Sequence, residues 1–462
     1  MKDTVNMFGG SPLNRLSWLR SSPAFLNGIA ASPKTRWILF NAGQPLLQSN
    51  GSLAFLSTVQ VRQFLGQEPL FNQGQTPGSF IPAEQASNFT EAARHLGSPI
   101  VFLGLHESSA NGHGALPSSD FSSKSNDAES VIAKIDGTPY FSMEVADLEV
   151  NEDDMNKSFV ETGAVKEGEK LSWGDPRALM NTMLAFEGAV YAEARSMTDW
   201  NWRNKFCPAC GSKQYSLWGG WKTACSSLLP WADNSNRKPC PSGKGLHNYA
   251  HPRTDCVVIM CAIDQTGQKI LLGRSRRFPI KFYSALAGFI EPGETFEDAV
   301  RREMWEEAGV SVWDVTYHSG QPWPYPANLM CGFYARADSS KPVRVDLDNE
   351  LADAQWYTRE DILQILGHSE GTKLDYKKIT EMEKKELLGK KNNKDMPSVW
   401  TENDDEKAKK EEEKKKEAGE GEPPFRIPPT TAIAGVLIRD WATGRVQFPP
   451  VEVGQSVGVA NL

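Results

Sequence analysis

The stretch GFIEPGETFEDAVRREMWEEAGV, Gly288 to Val310, can hardly be other than a loop closing onto a short amphipathic helix. Thr295 with Asp298 three residues on makes a capping box, and Gly309 is a natural stop, so the residues between should be helical. Phe296, Ala299, Val300 and Met304 supply a core-facing stripe, while Glu303, Glu306 and Glu307 fall within about one third of the circumference. Carboxylates at i, i+3 and i+4 repel one another and destabilise a bare helix. A solvated acidic face is the ordinary origin of such a cluster, but hard divalent cations, Mg²⁺ or Mn²⁺, also suit it. Glu294 lies in the loop leading into the helix, and Arg302 is placed to hydrogen-bond and orient a neighbouring carboxylate.

Strand-like runs surround this helix: residues 256–262 (CVVIMCA), 269–274 (KILLGR) after a turn at Gly267, 282–288 (FYSALAG), 329–337 (LMCGFYARA) and 354–357 (AQWY). A second helix is expected in PFRIPPTTAIAGVLIRDW (424–441), packing back onto the same domain. Between them, about 367–424, dense blocks of charge with few aromatics read as a solvated, mostly disordered insertion. The first 160 or so residues alternate apolar runs, Arg36 to Phe40 and Pro99 to Leu103, with Gly/Pro/Ser-rich connectors, a pattern of short strands and turns. From Asp175, an Asp cap, a Pro at the first helical position and apolar residues at helical spacing predict a helix of about six turns.

At 462 residues the chain has room for about three domains. Lys plus Arg number 50 against 58 Asp plus Glu, a formal charge of -8, which argues against holding duplex nucleic acid by phosphate neutralisation alone. No run approaches the ~18 apolar residues of a membrane span, and MKDTVNMFGGSPLNR lacks the apolar core of a secretory signal, so an intracellular protein without membrane partners is expected. The seven cysteines all lie between Cys207 and Cys331, unlike a disulfide framework. Cys207 and Cys210 form a CPAC knuckle that brings both sulfurs to one metal, and Cys225 and Cys240 would complete four thiolates, with His247 an alternative fourth ligand. Cys256, Cys261 and Cys331 fall in apolar strands and read as buried small hydrophobes.

Gly288, Glu294, Arg302, Glu303, Met304, Glu306, Glu307, Gly309 and Val310 match GX5EX7REUXEEXGU, where U is aliphatic, so the chain resembles a Nudix hydrolase. That family cleaves nucleoside diphosphates linked to another moiety, on an α/β/α sandwich with a mixed sheet. Downstream, SGQPWPYPANLM (319–330) is a proline-stiffened, extended loop whose Trp323 and Tyr325 offer faces for a base. It resembles the SQPWPFPxS signature of the NADH pyrophosphatase branch, with Gly320, Tyr325 and Asn328 as the departures. The resemblance implies an α+β protein: a Nudix-like N-terminal domain (1–170), a linking helix (171–204), a zinc ribbon (205–250), a catalytic Nudix domain (251–445) and a tail (446–462). LNRLSWLR at 13–20 looks like the opening of the branch's N-terminal domain.

The resemblance also implies a set of site residues. Two or three Mg²⁺ or Mn²⁺ would be held by Glu303, Glu306, Glu307, Glu350 and the backbone carbonyl of Ala287, with Glu303, Glu306, Glu307 and Arg302 as catalytic residues. Substrate would meet Phe289, Ile290, Glu291, Gln321, Pro322, Trp323, Pro324, Tyr325, Pro326, Ala327, Asn328, Glu350, Ala434 and His251, the last standing where the branch usually carries an aromatic ring. One structural Zn²⁺ on the four cysteines, with no open position, would support folding rather than chemistry.

The expected reaction is hydrolysis of the central pyrophosphate of NADH, and of NAD⁺, to reduced nicotinamide mononucleotide and AMP. Cleavage of the same bond in NAD-capped RNA is an alternative within the class, and a catalytically silent dinucleotide sensor one outside it. Members of the branch are usually homodimers. Ala460, Asn461 and Leu462 resemble a degenerate peroxisomal tripeptide, so peroxisome or cytoplasm is expected.

Overall fold

The computed structural model describes residues 5–73, 92–107, 128–148, 151–373 and 422–451, apart from positions 134, 167–168, 176, 178–179, 181–182, 230–231, 236–237, 239, 245–250, 277, 279–280 and 349. His247, nearly all of the charged insertion and the C-terminal tripeptide lie outside the described residues. Two compact units emerge: Phe8–Thr254 with Trp323–Ala327, and Met1–Met7, Asp255–Pro322 and Asn328–Leu462. The linking helix and Cys207, Cys210, Cys225 and Cys240 thus fold with the N-terminal residues. Asn6 belongs with the other unit, its Nδ2 donating to Ser319 Oγ at 3.0 Å and to the Gly320 carbonyl at 2.8 Å.

In the N-terminal unit, α1 (Pro23–Ala31) leads into β1 (Arg36–Asn41) and β2 (Gln44–Leu47), then α2 (Thr58–Leu65), β3 (Ile100–Glu107), α3 (Ala128–Ala133), β4 (Gly137–Glu144), α4 (Glu152–Glu161) and β5 (Ser172–Trp173). The strands form a sheet in the order β3-β4-β1-β2-β5, mixed because β1 runs parallel to β4 and the other pairs are antiparallel. Its core is aromatic: Trp37 and Phe141 stack at 4.8 Å, with Phe25, Phe102 and Phe159 fully buried. Next comes α5 (Ala185–Arg203). It begins nine residues later than the Asp175 signal predicts. Asp175 Oδ1 accepts from the Arg177 amide, a local turn rather than a cap, and the helix starts where Gly188 to Glu193 can be buried. The hairpin of β6 (Gln214–Leu217) and β7 (Lys222–Cys225) closes the unit.

The second unit holds β8 (Asp255–Asp264), β9 (Lys269–Ser275), β10 (Leu286–Phe289), α6 (Phe296–Ala308), β11 (Val312–Trp323), β12 (Asn328–Ala337), β13 (Leu351–Thr358), α7 (Arg359–Gly367) and α8 (Ile433–Ala442). The sheet order is β11-β12-β8-β9-β13, with β10 paired to β8, and β8 parallel to β12. Period-two alternation explains the layers. On β8, Val258, Met260 and Ala262 pack with Ala299, Val300 and Met304 of α6, while Ile259, Cys261 and Ile263 pack with Leu437, Ile438 and Trp441 of α8 and Ile362 of α7. Helices therefore cover both faces, giving the mixed-sheet sandwich.

Three expectations need correction. Residues 282–288 are not one strand: only Leu286–Phe289 is, with isolated bridges at Phe282 and Ser284. Residues 319–323 are the end of β11 rather than a loop, leaving a turn at 324–327 before β12. Phe296 is 40% exposed, not a core residue, although its ring meets Phe333 at 5.8 Å.

Candidate active site

Local chemistry builds α6 as the spacing predicts. Thr295 Oγ1 accepts from the Asp298 amide and Asp298 Oδ2 accepts from the Thr295 amide, both at 3.2 Å, completing the capping box. At the other end Gly309 takes φ 63°, a left-handed conformation that glycine adopts without penalty. Its N–H donates to Trp305 O and that of Val310 to Met304 O, closing the last turn.

Arg302 organises the carboxylates. Its Nε and Nη2 donate to the two oxygens of Glu294 at 2.6 and 2.9 Å, its Nη1 to Glu303 at 2.7 Å and Glu306 at 2.9 Å, and Nη2 also to the Phe289 carbonyl at 2.8 Å. Four groups are thus set by one planar fork, which lysine could not reproduce. This contact holds the Glu294 carboxyl down to about 2 and raises the Arg302 pKa. Glu303 lies over β10 so closely that a Cβ on Gly288 would stand 1.8 Å from its Cδ. The first residue of the motif is therefore glycine because a carboxylate occupies the space of a side chain.

Glu307 differs from its neighbours. It is 3% exposed, and its Oε1 is buried with no hydrogen-bond partner among the described residues. Burial first, then Glu303, Glu350 and Asp348, push its pKa up to about 9, against a contribution from the Ala287 amide. A buried, unsatisfied carboxylate oxygen beside further acids is costly unless a cation meets it, so this donor set fits a hard divalent ion. Glu303 is raised too, by burial most, despite Arg302. Glu306 keeps 47% of its side chain exposed.

The structure thus gathers Glu294, Glu303 and Glu306 on Arg302, with Glu303 and Glu350 near enough to act electrostatically on Glu307. Glu350 precedes β13 and its carbonyl accepts from the Arg276 amide. Asp348, acting on Glu307, was missed; the acidic run DLDNE before the strand was its only signal. Phe289 is 56% exposed at the end of β10, Glu291 is exposed with its amide donating to Glu294, and Ile290 packs partly into the core beneath. Pro322 and Asn328, at the ends of β11 and β12, are half-buried, and Ala434 is 5% exposed in the first turn of α8.

Gln321 does not stand where a substrate residue should. It is wholly buried, its Nε2 donating to Met7 O at 3.1 Å and Thr431 O at 2.8 Å, its Oε1 accepting from the Ile433 amide at 2.8 Å. All three bonds go to main chain, so the side chain ties three segments together and both of its N–H donors are already used. In the other unit, Trp323 and Tyr325 meet edge to face at 5.3 Å, and both meet Phe8; Arg177 lies over Tyr325. Pro324 is buried; Pro326 and Ala327 are half-buried. The His251 ring packs on Trp218 at 5.9 Å, so part of its stacking surface is already taken.

The sulfurs of Cys207, Cys210, Cys225 and Cys240 lie within 4.8 Å of one another, the one group of three or more metal-type ligands that close among the described residues. Convergence of four thiols from a knuckle and two later segments fits a tetrahedral metal, and Cys240 completes the set. Of the other three, Cys261 and Cys331 are buried as expected, whereas Cys256 is only partly so.

Comparison with known proteins agrees with this arrangement. A family model described as the NUDIX domain matches residues 252–377, and one described as an NADH pyrophosphatase-like rudimentary NUDIX domain matches residues 34–200. The chain is 35% identical to the NAD-capped RNA hydrolase of Schizosaccharomyces pombe over 361 residues, 78% of this chain and 85% of that protein. It is 30% identical to NAD-capped RNA hydrolase NPY1 of Saccharomyces cerevisiae, over 79% and 88% respectively. The human NAD-capped RNA hydrolase NUDT12 is 49% identical over 180 residues, 39% of this chain and 36% of that protein.

Proposed function

Given that the chain belongs to the Nudix hydrolases, we propose that it hydrolyses the central pyrophosphate of NADH, and of NAD⁺, to the nicotinamide mononucleotide and AMP. The observation that carries this reading is the Arg302 fork holding Glu294, Glu303 and Glu306 beside the unsatisfied oxygen of Glu307. Glu303, Glu307 and Glu350, with Glu306 and the Ala287 carbonyl close by, would hold two or three Mg²⁺ or Mn²⁺. When bound, such ions neutralise charge on phosphate oxygens and acidify a coordinated water. The chain's own part is positioning. Arg302 fixes the direction of Glu303 and Glu306, and the burial of Glu307 keeps one carboxylate fixed and dry. Glu306, which is open to solvent, or Glu307, which is sealed, would take the proton of such a water; single Gln substitutions separate them. Trp323 and Tyr325 would stack on a base.

Incubation with NADH and Mg²⁺, followed by product analysis, tests the proposal: AMP and reduced nicotinamide mononucleotide are expected, and intact NADH refutes it. A second reading, removal of NAD caps from RNA, is favoured by the names of the three relatives, and comparison of rates on NADH and NAD-capped RNA decides between them. The silent-sensor reading is disfavoured by the complete glutamate set; tight NADH binding without AMP release in Mg²⁺ would revive it. We further propose one structural Zn²⁺ on the four cysteines, a homodimer, and peroxisomal targeting by Ala460-Asn461-Leu462, with the cytoplasm as the alternative. Light scattering tests the dimer, and a reporter fused with and without the tripeptide tests the targeting.

A further inference from the structure

The N-terminal unit contains a cavity of about 460 Å³ between the C-terminal end of α5, the β6–β7 hairpin and the segments flanking β3 and β4. Its size falls in the usual range of small-molecule sites, a few hundred to about 1,000 Å³. Four of its lining residues carry buried polar atoms that engage no group among the described residues: Asn201 Oδ1, Trp202 Nε1, Gln214 Oε1 and Thr223 Oγ1. Asn201 and Thr223 are only 6% and 5% exposed. Buried polar atoms are nearly always paired, so four around one cavity point to a ligand with complementary groups.

The pattern is specific. Asn201 Nδ2 donates to both Met197 O and Gly220 O at 2.9 Å, which fixes the amide and leaves the oxygen as an acceptor. Gln214 Oε1 is a second acceptor, the Trp202 indole N–H a donor, and the Thr223 hydroxyl either. A nucleobase edge, with amino, keto and ring-nitrogen groups in one plane, matches such a mixture. Tyr215 lines the same cavity, its ring against His95 at 4.3 Å. At the rim, Phe206 is 58% exposed and is bridged through its main chain to exposed Lys213, with Lys205 alongside. An exposed aromatic ring among cations is how single-stranded nucleic acid is held. The two carboxylates at the cavity are engaged: Asp147 with Lys205, and Glu144 with the amides of Ala42, Gly43 and Ala146.

We propose that this cavity binds a nucleotide, its base among the four polar atoms and its phosphate at the Lys205–Phe206–Lys213 rim. The nucleotide is either free or one residue of a single-stranded RNA. The site goes beyond the hydrolytic reading and does not depend on it.

The test uses the full chain and a labelled, uncapped pentaadenylate, which has no pyrophosphate to cleave, followed by fluorescence anisotropy. Binding is expected, weakened about tenfold by Phe206→Ala, since stacking on one ring carries roughly that much, and weakened by Lys213→Ala with a reduced dependence on salt, since a phosphate contact is lost. Both residues are exposed, so folding is spared, and hydrolysis of NADH should be unchanged. Thr223→Val probes the interior and should weaken binding as well. Displacement by AMP assigns the free nucleotide; displacement by RNA alone assigns the chain. Absence of binding, or binding untouched by both rim substitutions, overturns the proposal. An unsubstituted chain that turns over NADH but does not bind the pentaadenylate condemns this inference alone, and one that binds without turnover condemns only the hydrolytic reading.

Discussion

Replacing Gly288 by Ala should separate activity from stability. The backbone at Gly288 is ordinary strand, paired with Val258, and alanine is tolerated there as well as glycine or better, by roughly 0.5 kcal/mol. The added Cβ, however, would stand 1.8 Å from Glu303 Cδ and 2.0 and 2.2 Å from its two oxygens. Ordinary contact begins near 3.4 Å, so the carboxylate must retreat by roughly 1.6 Å. Retreat is inexpensive for the fold, because a carboxylate at the end of a flexible chain can swing. It is expensive for catalysis: the 2.7 Å bond to Arg302 is broken, and a misplacement of about 1 Å can cost ~100-fold in rate. The variant should keep the wild-type melting temperature within about 2 °C and lose at least ~100-fold in kcat on NADH with Mg²⁺. Steady-state kinetics beside a thermal melt reads both. Activity within threefold or so of wild type would refute the claim that the position of Glu303 matters, and a large fall in melting temperature would refute the claim that the space is needed only for that carboxylate.

Other outcomes follow from the same geometry. Arg302→Lys should lower kcat by roughly 10–100-fold with KM nearly unchanged, since a point charge cannot hold Glu294, Glu303 and Glu306 at once. In metal-free buffer, Glu307→Gln should be more stable than wild type at pH 7, by on the order of 3 kcal/mol, and no more stable near pH 4.5. The raised carboxyl keeps its proton in the fold up to about 9 while the unfolded chain loses it above 4.5, so wild-type stability falls across that window and the Gln variant's does not; melts in EDTA at several pH values check this. Gln321→Ala should cost about 2–4 kcal/mol in urea unfolding, because three main-chain groups lose their partner, and leave KM nearly unchanged. Cys225→Ser should lower bound zinc from one equivalent per chain, measured by elemental analysis, and destabilise the N-terminal unit.

The motif helix was legible because everything that defines it is local: the Thr295–Asp298 box, the Gly309 stop and glutamates at i, i+3 and i+4 depend on residues within one or two turns. Strands β8, β9, β12 and β13 were legible for a similar reason, since their apolar runs persist where the sheet is covered, whereas β11 was not read as a strand and only the end of residues 282–288 pairs as β10. The QPWPYP segment was misread in part because proline and aromatic content says stiff and apolar, not which groups it meets. Gln321 looked like a ligand residue by its place in a signature, yet its partners, Met7, Thr431 and Ile433, lie more than a hundred residues away in the chain. The start of α5 was misplaced because an Asp-Pro pair serves a turn as well as a helix, and only burial distinguishes the two.

What the chain's order of residues decides alone is which groups ride on one helix and how that helix is capped, because hydrogen bonds and side-chain neighbours within a turn are fixed by spacing. It does not decide which of the glutamates is exposed. The rotation of α6 against β8 and β10 buries Glu307 to 3% and leaves nearly half of the Glu306 side chain in water. Folding likewise brings Glu350 and Asp348, from the segment just before β13, to act on it. Burial and field are sums over everything nearby in space, and neighbours in space are set by packing rather than by order along the chain.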